Sequence, residues 1–77
     1  MNASTISQRE RQVLELVAHE FTTDEIAHKL YLSPHTIISH KKKLKSKMEV
    51  RNTAGMIRRG FELGLLEVTK QMVFVRG

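Results

Sequence analysis

The sequence contains no cysteine, and no run of apolar residues in it approaches the length of a membrane span. Without cysteine there can be no thiolate metal site and no cysteine nucleophile, and this absence is typical of a reducing compartment. A membrane-spanning helix needs roughly 18 or more consecutive apolar residues. The first residues also lack the basic and apolar stretches of a signal peptide. We therefore expect a cytoplasmic protein that does not bind a membrane.

The usual signs of catalysis are missing as well. The sequence shows no carboxylate pair, no nucleophile beside a base and no glycine-rich phosphate loop. Its four histidines are spread over three predicted helices, without the spacing that a metal site requires. We expect neither an enzyme nor a bound cofactor or metal.

Four segments begin with a side chain that can cap a helix. The capping residues are Ser7, Thr22, Ser33 and Asn52. Glutamate follows Ser7 and Thr22 at the third position, which is the capping-box pattern, and Pro34 suits the first helical position after Ser33. The pattern predicts four helices that end near residues 19, 30, 48 and 63.

Each predicted helix carries an apolar stripe that should face a core. The stripes consist of Val13, Leu14, Leu16 and Val17, of Ile26, Ala27 and Leu30, of Ile37, Leu44 and Met48, and of Ala54, Ile57 and Phe61. The small Ala27 lets another helix cross closely, and Leu32 can fill the turn before Ser33. Gly64 can end the last helix in a left-handed conformation, with the two following leucines folding back.

These features predict an all-α fold, a four-helix bundle that contains a helix-turn-helix. With 77 residues and 40% hydrophobic content, the chain is long enough for one domain with a small core. We place the domain at residues 1–66 and an extended C-terminal tail at residues 67–77. Within the tail Met72–Val75 is β-prone. It could pair as an edge strand between two copies, contact another molecule, or stay without fixed structure, which we favour.

Positive charge is concentrated in the third predicted helix and the loop after it. Residues 41–51 contain six cations and one carboxylate, and their net charge of +5 equals that of the whole chain. A solvated helix face is the simplest explanation of such a run. However, the start of this helix is less charged and carries small polar groups, and DNA readers divide base and phosphate contacts in this way. We expect contact with double-stranded DNA through His35, Thr36, Ile38, Ser39, Lys42, Lys43, Lys45, Ser46, Lys47 and Arg51.

The individual roles follow from position on the helix. His35 and Ser39 suit base edges, and Lys45 and Lys47 should reach the phosphate walls of the groove. Lys42 could read guanine or hold a phosphate. The Thr36 hydroxyl is expected to bond locally at the helix start, with a phosphate contact as the alternative. His40 is expected to be a hydrogen-bonded residue at the core boundary rather than a phosphate ligand.

The chain resembles the DNA-binding domain of LuxR-type transcription regulators, which include the output domains of NarL- and FixJ-like response regulators. The resemblance covers about residues 6–66 and rests on four segments in order. Their matching residues are Ser7, Arg9, Glu10, Val13 and Leu14; Thr22, Glu25, Ile26, Ala27 and Leu30; Ser33, Thr36, Ile37 and His40; and Val50, Asn52, Ile57, Gly64, Leu65 and Leu66.

The resemblance implies a recognition helix at about residues 34–47 and a homodimer formed through the fourth helix. RNA polymerase is a further candidate partner of such a regulator. In these regulators a receiver or ligand-sensing domain usually precedes the DNA-binding domain, so the sequence is either a stand-alone regulator or an excised piece.

Three positions depart from the family pattern. Glu20 stands where a glycine commonly precedes the second helix, which leaves the shape of that turn open. Gln12 replaces a usual acidic residue. Ile38 stands where relatives often carry a lysine or another polar group, and an apolar group there could meet a thymine methyl instead.

A second apolar stripe on the fourth helix, formed by Met56, Gly60 and Leu63, is the predicted dimer surface. In one alternative, this stripe is covered by the tail of the same chain. The rival function is a four-helix protein-interaction module that docks its basic helix on an acidic partner. Such a helix would usually present larger apolar anchors than His35 and Ser39.

Overall fold

The computed structural model describes residues 5–67, which form four α-helices and no strand. The helices are α1 (Gln8–Ala18), α2 (Thr23–Leu30), α3 (Pro34–Met48) and α4 (Thr53–Glu62). The predicted all-α fold is confirmed. The tail prediction for Met72–Val75 lies outside the described residues. Within them, no helix is long and apolar enough to cross a membrane.

All four helices start at the caps that the sequence predicts. The Ser7 hydroxyl accepts a hydrogen bond from the Glu10 N–H at 3.0 Å, and the Ser7 N–H donates to the Glu10 carboxylate at 2.9 Å. Thr22 and Glu25 repeat this capping box. The other two helices are capped by single hydrogen bonds, from the Thr36 N–H to Ser33 at 3.1 Å and from the Gly55 N–H to Asn52 at 2.9 Å.

The four helices also end in one shared hydrogen-bond pattern. A residue in the left-handed conformation follows each helix, namely Glu20, Tyr31, Glu49 and Gly64, with φ angles of 69°, 58°, 59° and 77°. The next residue then donates its N–H to the carbonyl five positions back. These pairs are Phe21 to Leu16 at 3.1 Å, Leu32 to Ala27 at 2.9 Å, Val50 to Lys45 at 3.1 Å and Leu65 to Gly60 at 2.9 Å. This is the Schellman motif with its apolar residue packed on the core.

Only one of these four left-handed positions is occupied by glycine. Gly64 was predicted for this role and is confirmed in it. Glu20 has a φ of 69°, so the turn before α2 has the shape that a glycine would favour although the glycine is missing. Left-handed backbone costs a residue with a Cβ atom about 1–2 kcal/mol, so the other three turns are strained.

One core joins the four helices. Its buried members are Val13, Leu14, Ile26, Ala27, Ile37, Leu44, Met48, Met56, Leu65 and Leu66. Leu32 is half-buried and packs against this core from the turn between α2 and α3, as predicted. α2, the turn and α3 therefore form a helix-turn-helix. The inner stripe of α3, which consists of the buried residues Ile37, Leu44 and Met48, holds this helix on the core.

The prediction for the faces of α4 is wrong for Met56 and Gly60, which are buried, and for Ala54, which is exposed. Ile57 and Phe61 are half-buried and pack against the core with one side. A Cβ atom on Gly60 would lie 2.7 Å from Leu66 Cδ1 and 3.2 Å from Leu14 Cδ2. Gly60 is thus required inside the domain, where the chain folds back over α4. Leu63 is half-buried and packs against the same core.

The strain at the turn between α2 and α3 can be tested with Tyr31, whose side chain is 94% exposed. We expect Tyr31→Gly to raise the free energy of unfolding by about 0.5–1 kcal/mol, because the relief of left-handed strain exceeds the entropy cost of glycine. Urea denaturation measures this change. Tyr31→Ala is the control and should give no such gain, since alanine keeps the Cβ atom. An equal gain in both variants would show that strain is not the cause.

Candidate nucleic-acid interface

The exposed side of α3 is the candidate interface. Ile37, Leu44 and Met48 are buried, so the opposite side of the helix faces solvent. The exposed residues there are His35, Ile38, Ser39, Lys42, Lys43 and Ser46, which we call the outer face. Lys45 lies at its edge and is half-buried, and Arg51 is exposed in the loop after α3. Eight of the ten predicted DNA-binding residues are thus accessible to solvent, seven of them on α3 and Arg51 in the loop after it.

The Thr36 side chain is hydrogen-bonded locally at the start of α3. Its hydroxyl shares a hydrogen bond of 3.0 Å with the Ser33 hydroxyl, while its N–H donates to the same oxygen. The local role predicted for Thr36 is therefore what the structure shows. His40 is half-buried, but its Nδ1 atom is buried without a hydrogen-bond partner among residues 5–67. The hydrogen bond predicted for His40 is not made by this nitrogen.

Two lysines fix α3 against the other helices. The ammonium group of Lys41 donates to the Thr23 hydroxyl at 3.0 Å, which links α3 to the start of α2. The ammonium group of Lys47 lies 2.8 and 3.1 Å from the two carboxylate oxygens of Glu10 and 3.0 Å from the Thr5 carbonyl oxygen. Lys47 thus links the end of α3 to α1 and to the residues before it.

The prediction that Lys47 reaches a phosphate wall is therefore wrong. Lys47 points toward α1 rather than toward the groove side, and the Glu10 side chain that it pairs with is only 5% exposed. Moving the ammonium to a phosphate would leave a buried carboxylate without its counter-charge. The cations that stay available are Lys42, Lys43, Lys45 and Arg51.

The Glu10 carboxylate is stabilised in its charged form. Burial by itself raises the pKa of Glu10, but hydrogen bonds from Lys47 and from the Ser7 backbone, with the charge of Lys47, outweigh it. The result is a pKa below the ordinary value of 4.5. A carboxyl group whose pKa is lower in the folded than in the unfolded state stabilises the fold above its unfolded pKa. This stability is lost as the pH falls through the folded pKa.

Urea denaturation at pH 7 and at pH 3 tests this ion pair. At pH 7 we expect Lys47→Met to lower the free energy of unfolding by about 1.5–3 kcal/mol, because it leaves the buried carboxylate of Glu10 without a charged donor. We expect the loss of stability between pH 7 and pH 3 to be smaller in Glu10→Gln than in the wild type. Glu15→Gln, which removes an exposed carboxylate from the same helix, is the control. A wild-type pH dependence in Glu10→Gln would contradict this role of the pair.

A crevice beside the loop after α3 is lined by a further cation, Arg58, which the sequence did not indicate as a candidate. It has a volume of about 320 Å³ and is lined by Glu49, Val50, Arg51, Asn52, Gly55 and Arg58. Arg58 is exposed and pairs with Glu62 at 3.4 Å, a weak surface contact. Arg58 lies outside the cationic run of residues 41–51, so only the fold brings it close to Arg51.

A comparison with known protein families shows which family the chain belongs to. The family described as "Bacterial regulatory proteins, luxR family" matches residues 4–59. The chain belongs to this family. It is a LuxR-family helix-turn-helix domain of the DNA-binding transcription regulator type, with α2 and α3 as the helix-turn-helix. The LuxR-type resemblance seen in the sequence is confirmed.

Three relatives show how the similarity is distributed. The transcriptional regulatory protein UhpA of Escherichia coli (strain K12) is 40% identical over 57 residues, which are 74% of this chain and 29% of UhpA. The transcriptional regulatory protein MctR of Rhizobium johnstonii is 34% identical over 61 residues, 79% of this chain and 28% of MctR. The spore germination protein GerE of Bacillus subtilis (strain 168) is 32% identical over 63 residues, 82% of this chain and 85% of GerE.

The matched region of the chain therefore spans less than a third of the full lengths of UhpA and MctR but most of the length of GerE. No solved structure matches the chain.

Proposed function

We propose that the domain binds double-stranded DNA in a sequence-specific manner as a homodimer, with α3 in the major groove. The observation that carries this proposal is the outer face, which presents small polar, basic and single apolar groups from a helix anchored by its inner stripe. An α-helix fits a major groove about 12 Å wide, where each base pair shows a distinct pattern of donors and acceptors. Membership of the LuxR family supports the same conclusion.

The contacts divide along and across α3. His35, Ser39 and Lys42 lie on the first part of the outer face, where they reach base edges. Lys43 and Lys45 lie at its two sides and bind the phosphates that border the groove. Ser46 and Arg51 extend the contact toward the end of the helix. Base contacts then set the sequence preference, whereas phosphate contacts set the position of the helix.

A protein-interaction module is less favoured by this surface. A helix that docks on a protein usually buries several large apolar anchors. Ile38 is the one large apolar side chain on the outer face, while the other five members are polar or basic. Lys43 and Lys45, at the two sides of the outer face, suit a partner with regularly spaced negative charges, which the DNA backbone supplies.

The dimer surface must be assigned anew, because the predicted residues Met56 and Gly60 are buried. The apolar residues that α4 leaves accessible are Ala54, Ile57 and Phe61, spaced three and four positions apart, and we call them the α4 strip. Two copies can pair along this strip, which keeps α3 free. RNA polymerase stays a predicted further partner.

A strip of this size supports only weak pairing. We therefore expect the free domain to be mostly monomeric and to pair when two half-sites place the recognition helices about one DNA turn apart. Each α3 then reads one half-site, and the operator reflects the twofold symmetry of the dimer.

The phosphate contacts predict a defined salt dependence. Replacing Lys45 with alanine should flatten the slope of log affinity against log salt by about 0.9, the contribution of one neutralised phosphate. The order of preference among sequences should stay the same, because phosphates carry no sequence information. Binding titrations at several salt concentrations measure both quantities. Arg11→Ala removes an equal charge from the exposed side of α1 and should leave the slope unchanged. A slope that does not differ between the wild type and Lys45→Ala would contradict the assignment.

The α4 strip is tested at its most exposed member. Ala54→Glu places a charge in the pairing surface and should reduce cooperative binding to a two-site duplex at least about tenfold, the effect expected for a charge in an apolar contact. Affinity for a single half-site should change much less. Gln12→Glu makes the same charge change on α1 and is the control. Equal cooperativity in Ala54→Glu and the wild type would show that the copies pair elsewhere.

A further inference from the structure

One apolar side chain stands within the polar outer face. Ile38 is 47% exposed, and among residues 5–67 the only other large hydrophobic residue of high exposure is Tyr31 in the turn before α3. Ile38 lies one helical turn from His35 and from Lys42, between the groups assigned to base edges. It lies at the flank of the outer face, next to Lys45 and away from the buried stripe, and at 47% exposure the core leaves about half of it uncovered.

The chemistry of the major groove limits what Ile38 can contact. An isoleucine neither donates nor accepts a hydrogen bond, and pressing it against a polar base edge would leave that edge without its water partners. The base edges in the major groove offer donors and acceptors at every pair, but only one apolar group, the C5 methyl of thymine. Cytosine methylated at C5 presents the same group at the same ring position.

We infer that Ile38 is a specificity-determining residue that recognises a 5-methylpyrimidine, either thymine or 5-methylcytosine. The inference rests on the proposed function, since it requires α3 to lie in the major groove. The neighbouring polar groups then read hydrogen-bond patterns, whereas Ile38 reads a methyl group. Other LuxR-family members that carry a polar residue at this position would not share this preference.

The test removes the methyl group and nothing else. Preferred duplexes are first selected from random DNA, and each thymine of a half-site is then replaced in turn by deoxyuridine. At one position we expect the wild-type domain to bind about fourfold more weakly to the uracil duplex, which is the effect of losing one buried methyl-sized group. In Ile38→Ala this difference should fall below about 1.5-fold, because the two changes remove the same contact.

A second arm separates the two sources of the methyl group. The sensitive thymine pair is replaced by a cytosine pair, with and without methylation at C5. If methylation raises wild-type affinity about fourfold and leaves Ile38→Ala unaffected, Ile38 recognises the methyl group on either base. A response to thymine alone, or to methylcytosine alone, assigns that base as the ligand. Tyr31→Ala, which shortens the other exposed large side chain, is the control and should keep the wild-type ratio.

Two results would overturn the inference. One is a wild-type domain that binds its selected DNA with equal affinity whether or not any pyrimidine is methylated. The other is a methyl dependence that persists undiminished in Ile38→Ala. A domain that selects no sequence at all would instead contradict the proposed function, so the two failures can be told apart. The thermal midpoint of Ile38→Ala should stay close to that of the wild type, because the side chain lies outside the core.

Discussion

The hydrogen bonding of helix ends is the constraint on which this domain depends. Every α-helix leaves four N–H groups at its start and four carbonyl groups at its end without partners inside the helix. The four helices here have only 8 to 15 residues, so such groups are a large share of the backbone. Side-chain caps supply partners at the starts, and the left-handed Schellman turns supply them at the ends. Each turn also directs an apolar residue back onto the core, so the same device ends a helix and packs it.

The position of α3 follows from this arrangement. The Schellman turn at Tyr31 places Leu32 against the core, and the Ser33 cap follows at once, so α2 and α3 are joined with little freedom. Lys41 and Lys47 then connect the two sides of α3 to α2 and α1. The outer face is thus the side left free after the inner stripe and both lysine contacts are satisfied. The proposed base reading requires side chains held in place before the DNA arrives, and these contacts fix the helix that carries them.

Local signals made much of the fold predictable. The caps at Ser7, Thr22, Ser33 and Asn52 all use a side chain and a backbone group three residues apart, and both are visible in the sequence. The end at Gly64 was visible because glycine favours positive φ. The turns at the non-glycine residues gave no comparable signal, because their conformation is imposed by packing of the residue that follows.

The errors occurred where distant residues meet. Lys47 pairs with Glu10 across 37 positions of the chain, a distance at which no sequence pattern acts. On α4 both flanks are apolar, so periodicity alone could not choose between them. Leu66 packs where a side chain on Gly60 would otherwise lie, and this contact buries the flank of α4 that carries Gly60. The glycine in the middle of α4 does mark a close approach, but the approaching element is the segment directly after α4, at Leu66 of the same chain.

The hydrogen bonds that cap each helix join residues that are close in sequence, and this affects how the chain folds. Capping and Schellman hydrogen bonds join residues at most five apart, so each helix can define its own limits before any distant contact exists. Chains dominated by such short-range contacts fold on the microsecond to millisecond scale. The Lys47–Glu10 contact joins residues 37 positions apart and must wait for α1 and α3 to meet. The outer face therefore acquires its local structure from short-range contacts, whereas its orientation depends on contacts between distant parts of the chain.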